Sequence, residues 1–158
     1  MKRVIAILAV VAVLASAGTA VLVWQLSKGA HPNYPELSVF ARGHTERVAP
    51  YRYCTVDLTE CSNSGAESTL SVNNLGPVQL SVPPAIGAAP WRLIRIFEDE
   101  TPLSTEFRPG TRAAVTIPTV DANHGKLVGL VVQVPSKFIG ENGDWIPHAE
   151  WSVRTAWS

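Results

Sequence analysis

The sequence predicts a mainly β fold, an immunoglobulin-like antiparallel β-sandwich of roughly seven to nine strands, preceded by one N-terminal transmembrane helix. Three observations predict it. Short runs with a two-residue hydrophobic period recur from residue 36 to the C-terminus, the mark of strands with one face on a core. Turn-forming residues punctuate these runs, drawn from 12 prolines and 11 glycines, while only 16% of residues are charged. Before the runs stands one uncharged stretch, residues 4–24, long enough to cross a bilayer.

The uncharged stretch reads VIAILAVVAVLASAGTAVLVW. As a helix it spans roughly 31 Å, the thickness of a hydrocarbon core. Lys2 and Arg3 precede it and only Lys28 follows closely, so the positive-inside bias keeps residues 1–3 as a cytoplasmic stub and exports the rest. Trp24 stands where an interfacial aromatic is expected. The alternative is a cleaved signal peptide, with Ala15-Ser16-Ala17 as the cleavage site and a secreted product. Either way the remainder lies outside the cytoplasm. Residues 25–35, with Pro32 and Pro35, read as a short tether, and residues 36–158 as the extracytoplasmic domain.

Within that domain the strand runs follow in order. Leu37, Val39 and Ala41 alternate with Ser38 and Phe40; Leu70 and Val72 with Thr69 and Ser71; Val78, Leu80 and Val82 with Gln79 and Ser81. Ala113, Val115 and Ile117 form a further row. In the last run Ala149, Trp151, Val153, Thr155 and Trp157 share one face, which places His148 on the other. WRLIRIF (91–97) and LVGLVVQV (127–134) are apolar enough for central strands. Residues 84–89 or 136–140 could hold a helical turn. Asn142-Gly143 is a hairpin signal. A small barrel is the competing architecture.

Cys54 and Cys61 are the two cysteines. Outside the cytoplasm nearby thiols oxidise, so the pair is expected to be a disulfide that pins the turn TVDLTE to the strand before it. The spacing is not the C-x-x-C of a redox pair, and metal-ligand spacing is absent. Neither cofactor nor metal is expected.

Lys and Arg total 13, as do Asp and Glu, which leaves no basic excess to attract nucleic acid. The four histidines show no paired spacing, and no serine stands in a nucleophile elbow. The acidic groups Glu98-Asp99-Glu100 and Glu141-Asn142-Gly143-Asp144 read as solvated loop and turn. The aromatics are less neutral: Trp145, Trp157, Tyr51 and Tyr53 are candidate partner contacts.

The arrangement Tyr53-Cys54…Cys61, Leu80-Ser81-Val82-Pro83, Pro90-Trp91 and Ala149-Glu150-Trp151-Ser152-Val153 resembles a family of small exported actinobacterial proteins catalogued as a domain of unknown function. The resemblance spans most of residues 35–157 and implies a membrane segment and an envelope location. It implies no catalytic residues.

These readings converge on a non-enzymatic, membrane-anchored module: an accessory or assembly subunit of an envelope complex, with the cytoplasmic membrane and an envelope protein as partners. The alternative is a carrier for an apolar envelope ligand such as a lipid, held between the sheets. An enzyme would need a cleft bringing His44 or His148 against Asp57 or Glu150.

Overall fold

The computed structural model describes residues 12–13, 15–25 and 34–158. Two compact units divide at Asn33 and Tyr34. In the first, residues 12–13 and 15–25 are helical, α1, with Val21, Leu22 and Val23 exposed. The hydroxyls of Ser16 and Thr19 donate to the carbonyls of Val13 and Ala15, 2.9 and 2.8 Å, so neither is left unsatisfied in an apolar setting. Among the described residues no helix is long and apolar enough to cross a membrane. Residues 4–11 and 14 of the predicted span lie outside the described residues.

The second unit is built from two sheets. One has four strands: β1 (Leu37–Ala41), β2 (His44–Val48), β6 (Val78–Ser81) and β9 (Ala114–Ile117), in the order β2-β1-β6-β9. The other has the order β4-β3-β12-β11-β7-β8 and comprises β3 (Arg52–Cys54), β4 (Cys61–Asn63), β7 (Trp91–Phe97), β8 (Pro102–Phe107), β11 (Gly125–Ile139) and β12 (Trp145–Trp157). To it are added β5 (Ser68–Val72), on β12, and β10 (Val120–Asp121), on β11. One core cluster draws Leu37, Val39 and Leu80 from the small sheet and Trp91, Leu93, Val132 and Trp151 from the large one. The result is a mainly β, sandwich-like fold with twelve described strands, more than the alternation foretold.

The extra strands are those with weak patterns. β2 is HTERV, exposed except for Val48, so it has no buried row to announce it. It is set by the turn Arg42-Gly43, in which both φ angles are positive, 52° and 78°. That is a two-residue hairpin turn with arginine where asparagine or glycine is usual. Of the two proposed helical turns, the first exists: α2 (Pro84–Gly87), with proline in its first turn. Residues 136–139 belong instead to β11.

The expectation of purely antiparallel sheets is corrected at one pair. β12 is long enough to take two neighbours on one edge. Its first half pairs antiparallel with β3 through Ala149 and Glu150; its second half pairs parallel with β5 from Val153 to Trp157. Alternation reports which face is buried, not the direction of the neighbouring strand.

β11 and β12 outrun their neighbours. β7 covers β11 only from Leu127 to Gln133, and beyond it the two strands form a projecting hairpin with Ile139 opposite Trp145. Prolines 135 and 147 face each other at its base, where neither can donate a ladder hydrogen bond. At the tip Gly143 N donates to Gly140 O at 3.0 Å, and φ is positive at Gly143 but not at Asn142. The Asn-Gly pair therefore makes a turn that closes on a glycine bulge rather than the mirror-image two-residue turn.

Candidate functional site

The four aromatic candidates end in different surroundings. Trp157 is tied down: its Nε1 donates to Leu127 O at 2.9 Å, and its ring lies 5.4 Å from Lys126 Nζ. Tyr53 is half-buried. Its ring meets Tyr34 at 4.7 Å, His148 at 5.7 Å and Trp151 at 6.2 Å, so it completes the core's edge. Tyr51 is exposed. Trp157 and Tyr53 each border a surface hollow, and Trp145, gripped by a charged cluster, borders another.

β7 puts Arg92 directly opposite Glu106 of β8, and the hairpin tip brings Asp144 over both. Arg92 Nη2 contacts Glu106 Oε1 at 2.6 Å, and its two terminal nitrogens donate to both carboxylate oxygens of Asp144 at 2.8 and 2.6 Å. This fork-on-fork geometry fixes the plane of the guanidinium. The Trp145 ring lies 4.1 Å from that plane's central carbon, a cation–π contact. Asp144 Oδ1 also accepts the Trp145 backbone N–H at 2.9 Å. Hydrogen bonding by Asp144 holds Arg92 still more firmly protonated, and the guanidinium in turn holds the Asp144 carboxyl below its ordinary value.

Beside Trp145 opens a groove of about 350 Å³, walled by Pro90, Phe107, Pro109 and Trp145, with Glu106 and Arg108 at its rim. Its floor is Trp91, stacked on Phe107 at 4.2 Å and 21°, with its Nε1 donating to Arg112 O at 3.3 Å. The sequence reading named Trp145 but missed the rest of this site. Arg92 stands in an apolar run and Glu106 in a strand without a clear pattern, so nothing local joined them.

The cysteines form a disulfide with Cα atoms 4.0 Å apart, directly opposite each other on β3 and β4. Thr55 N donates to Glu60 O at 2.9 Å in the next pair, so the bridge spans a non-hydrogen-bonded pair, where strands approach most closely. His148 is corrected. It is buried, not turned to solvent, because it is the extra residue between the pairs Val134–Ala149 and Pro135–Pro147. Its Nδ1 lies 2.8 Å from Cys54 O. His44 is exposed on β2, His31 lies outside the described residues, and His124 Nδ1 meets Asp99 Oδ2 at 2.8 Å. Asp99, bonded first by His124 and then by Thr101, is held below its ordinary value. Among the described residues no group of three or more His, Cys, Asp or Glu is placed to hold a metal.

The buried core between the two sheets is bordered by partly buried Tyr53, Leu103, Phe107, Val115 and Trp157. The grooves described lie at the surface.

The comparisons with known proteins follow the same residues. Residues 30–156 match the family described as "Protein of unknown function (DUF2771)". The chain belongs to that family. An uncharacterized protein of Mycobacterium bovis and another of Mycobacterium tuberculosis are each 47% identical to it over 159 residues, covering 98% of this chain and 98% of theirs. No solved structure matches. The family match takes in the disulfide hairpin, the groove and all twelve strands, down to one residue short of the end of β12.

An acid titration tests the Arg92 cluster. Asp144 has a folded-state value below its ordinary 3.8, so its contribution is complete above 3.8 and is lost as pH falls through the lower folded value. Below that value Trp145 should lose its stacked cation partner's anchor. The emission change that disappears in Trp145→Phe should therefore have its midpoint under 3.8. A midpoint at or above the ordinary value would remove the Arg92–Asp144 bond from the account.

Proposed function

We propose that this protein is a non-enzymatic, membrane-tethered module on the outer face of the cytoplasmic membrane, an accessory or assembly subunit that docks an envelope protein in the groove at Trp145. The domain is immunoglobulin-like in the broad sense, a sandwich without a disulfide between its sheets. The observation that carries the reading is the preset position of Trp145. Its ring is fixed by Arg92 and Asp144 before any partner arrives, beside Pro90, Phe107 and Pro109. A rigid aromatic in an open, proline-walled groove loses little side-chain freedom on binding. Grooves of aromatic walls suit an extended, proline-containing segment of a partner. The uncharged run 4–24 with Lys2 and Arg3 before it supports the tether.

A tagged full-length chain purified from membranes in mild detergent should carry one stoichiometric protein partner. Trp145→Ala should weaken that association about 30-fold, as loss of a central contact of ~2 kcal/mol does, with the unfolding midpoint little changed. A lone monomer, or equal recovery with both chains, would overturn the reading. The mass of the mature N-terminus separates an anchored from a cleaved chain.

A further inference from the structure

β12 carries a second indole at the end opposite Trp145. Trp157 stands on the core-facing row of that strand, half-buried against the core. Its edge is fixed from within the domain: Leu127 O accepts from Trp157 Nε1 at 2.9 Å and from Thr155 Oγ1 at 2.5 Å. A tryptophan whose single donor is already engaged presents only its ring to a ligand.

Separate stretches of the chain converge on that ring. Asn73 and Asn74 follow β5, Glu98 follows β7, Gly125 and Lys126 open β11, and Ser158 follows β12. With Trp157 they line a hollow of about 420 Å³, a size within the range of small-molecule sites. The Arg42 guanidinium, from the β1–β2 turn, donates to the Ser158 hydroxyl and holds that residue in place. Loops carried on a rigid β scaffold are where binding residues concentrate.

The polar groups are positioned too. Gly125 has φ 80°, and a Cβ there would meet Glu98 Oε2 at 3.1 Å, so the glycine leaves the carboxylate its room. The Lys126 backbone N–H donates to the same oxygen at 3.4 Å, one bond of the several a carboxylate accepts. Asn73 Oδ1 accepts from Leu75 N at 3.0 Å, which fixes its amide plane.

The chemistry of this lining selects the ligand. Lys126 and Glu98 cancel in charge, and both are exposed, so water screens them and an ion gains little from either. An apolar ligand would cover the amides and the carboxylate without replacing their bonds to water. Amide, carboxylate and ammonium groups together supply donors and acceptors side by side, as neighbouring hydroxyls of one molecule require. The indole supplies a flat apolar surface, which matches the C–H face of a sugar ring. Lys126 Nζ, 5.4 Å from the ring centre on a flexible stem, can yield that face and bond a hydroxyl.

We propose that the hollow at Trp157 is a binding site for a neutral saccharide, with one sugar ring stacked on the indole and its hydroxyls bonded by Asn74, Glu98 and Lys126. The site is separate from the Trp145 groove and does not depend on the tether. Its affinity is weak, about 1 mM, because the ligand's hydroxyls exchange bonds to water for bonds to protein.

The test titrates the full-length oxidised chain, in a detergent without sugar head groups, with maltose, cellobiose and N,N′-diacetylchitobiose. The readout is the set of tryptophan indole N–H signals in nuclear magnetic resonance, with that of Trp157 identified by its loss in Trp157→Phe. At least one of the sugars should shift the Trp157 signal saturably while the Trp145 signal stays still. Asn74→Ala should weaken that sugar about fivefold, as loss of one hydrogen bond does, with the urea midpoint unchanged. A Trp157 signal indifferent to every sugar at concentrations well above millimolar would overturn the proposal. So would a saturable shift with glycylglycine and none with the sugars, which would assign the hollow to the charged end of a peptide. Movement of Trp145 in place of Trp157 would put the sugar in the other groove and remove this site.

Discussion

Trp151→Ala should destabilise the β domain by about 3–5 kcal/mol, the usual range for emptying a buried tryptophan site. Trp151 is 1% exposed and stands in the middle of β12, opposite Val132, with the Tyr53 ring against its edge. Its indole nitrogen also holds Pro35 O, so one side chain ties the entering strand to the core. Trp151→Phe separates the two roles. It keeps most of the apolar volume and gives up the hydrogen bond, a loss of about 1 kcal/mol for the bond, plus a share for the smaller ring. Urea unfolding of the full chain in mild detergent, followed by near-ultraviolet circular dichroism, measures both. An alanine effect below about 1 kcal/mol would show that Trp151 is not the centre of the packing.

The second large effect belongs to the disulfide. Closing a loop of eight residues lowers the entropy of the unfolded chain by an amount worth about 2.5 kcal/mol. The bridge also secures the β3–β4 pair, which is three residues long on each strand. Adding reductant, or making Cys54→Ala with Cys61→Ala, should lower the urea midpoint accordingly. The unreduced protein should resist alkylation. Two alkylated cysteines, or a midpoint indifferent to reductant, would contradict the bridge. His148 adds a local readout, because its Nδ1 faces Cys54 O and its ring signals should move when the hairpin loosens.

The strands with a clear two-residue row were legible from sequence. β1 was read to the residue, and in β12 the row Ala149, Trp151, Val153 and Thr155 is the buried one. Burial imposes that pattern directly, since alternate side chains must enter the core. β2, β4, β8 and β10 were not legible. They lie at edges or are very short, and a strand exposed on most positions has no row to conserve its face. The candidate site divides the same way. Trp145 stands out as an aromatic near a turn. Its orienting partners, Arg92 and Glu106, lie 53 and 39 positions away in the chain and meet it only through strand register.

Alternation and composition therefore settled the mainly β class, the positions of the patterned strands and the closeness of the two cysteines, because each depends on neighbours within a few residues. Tertiary structure decided the rest. It set β5 parallel to the end of β12, turned His148 inward at a bulge, and assembled Arg92, Asp144 and Trp145 beside one groove. Those outcomes depend on which edges pair and in which register, a long-range choice made by the fit of whole faces against a common core.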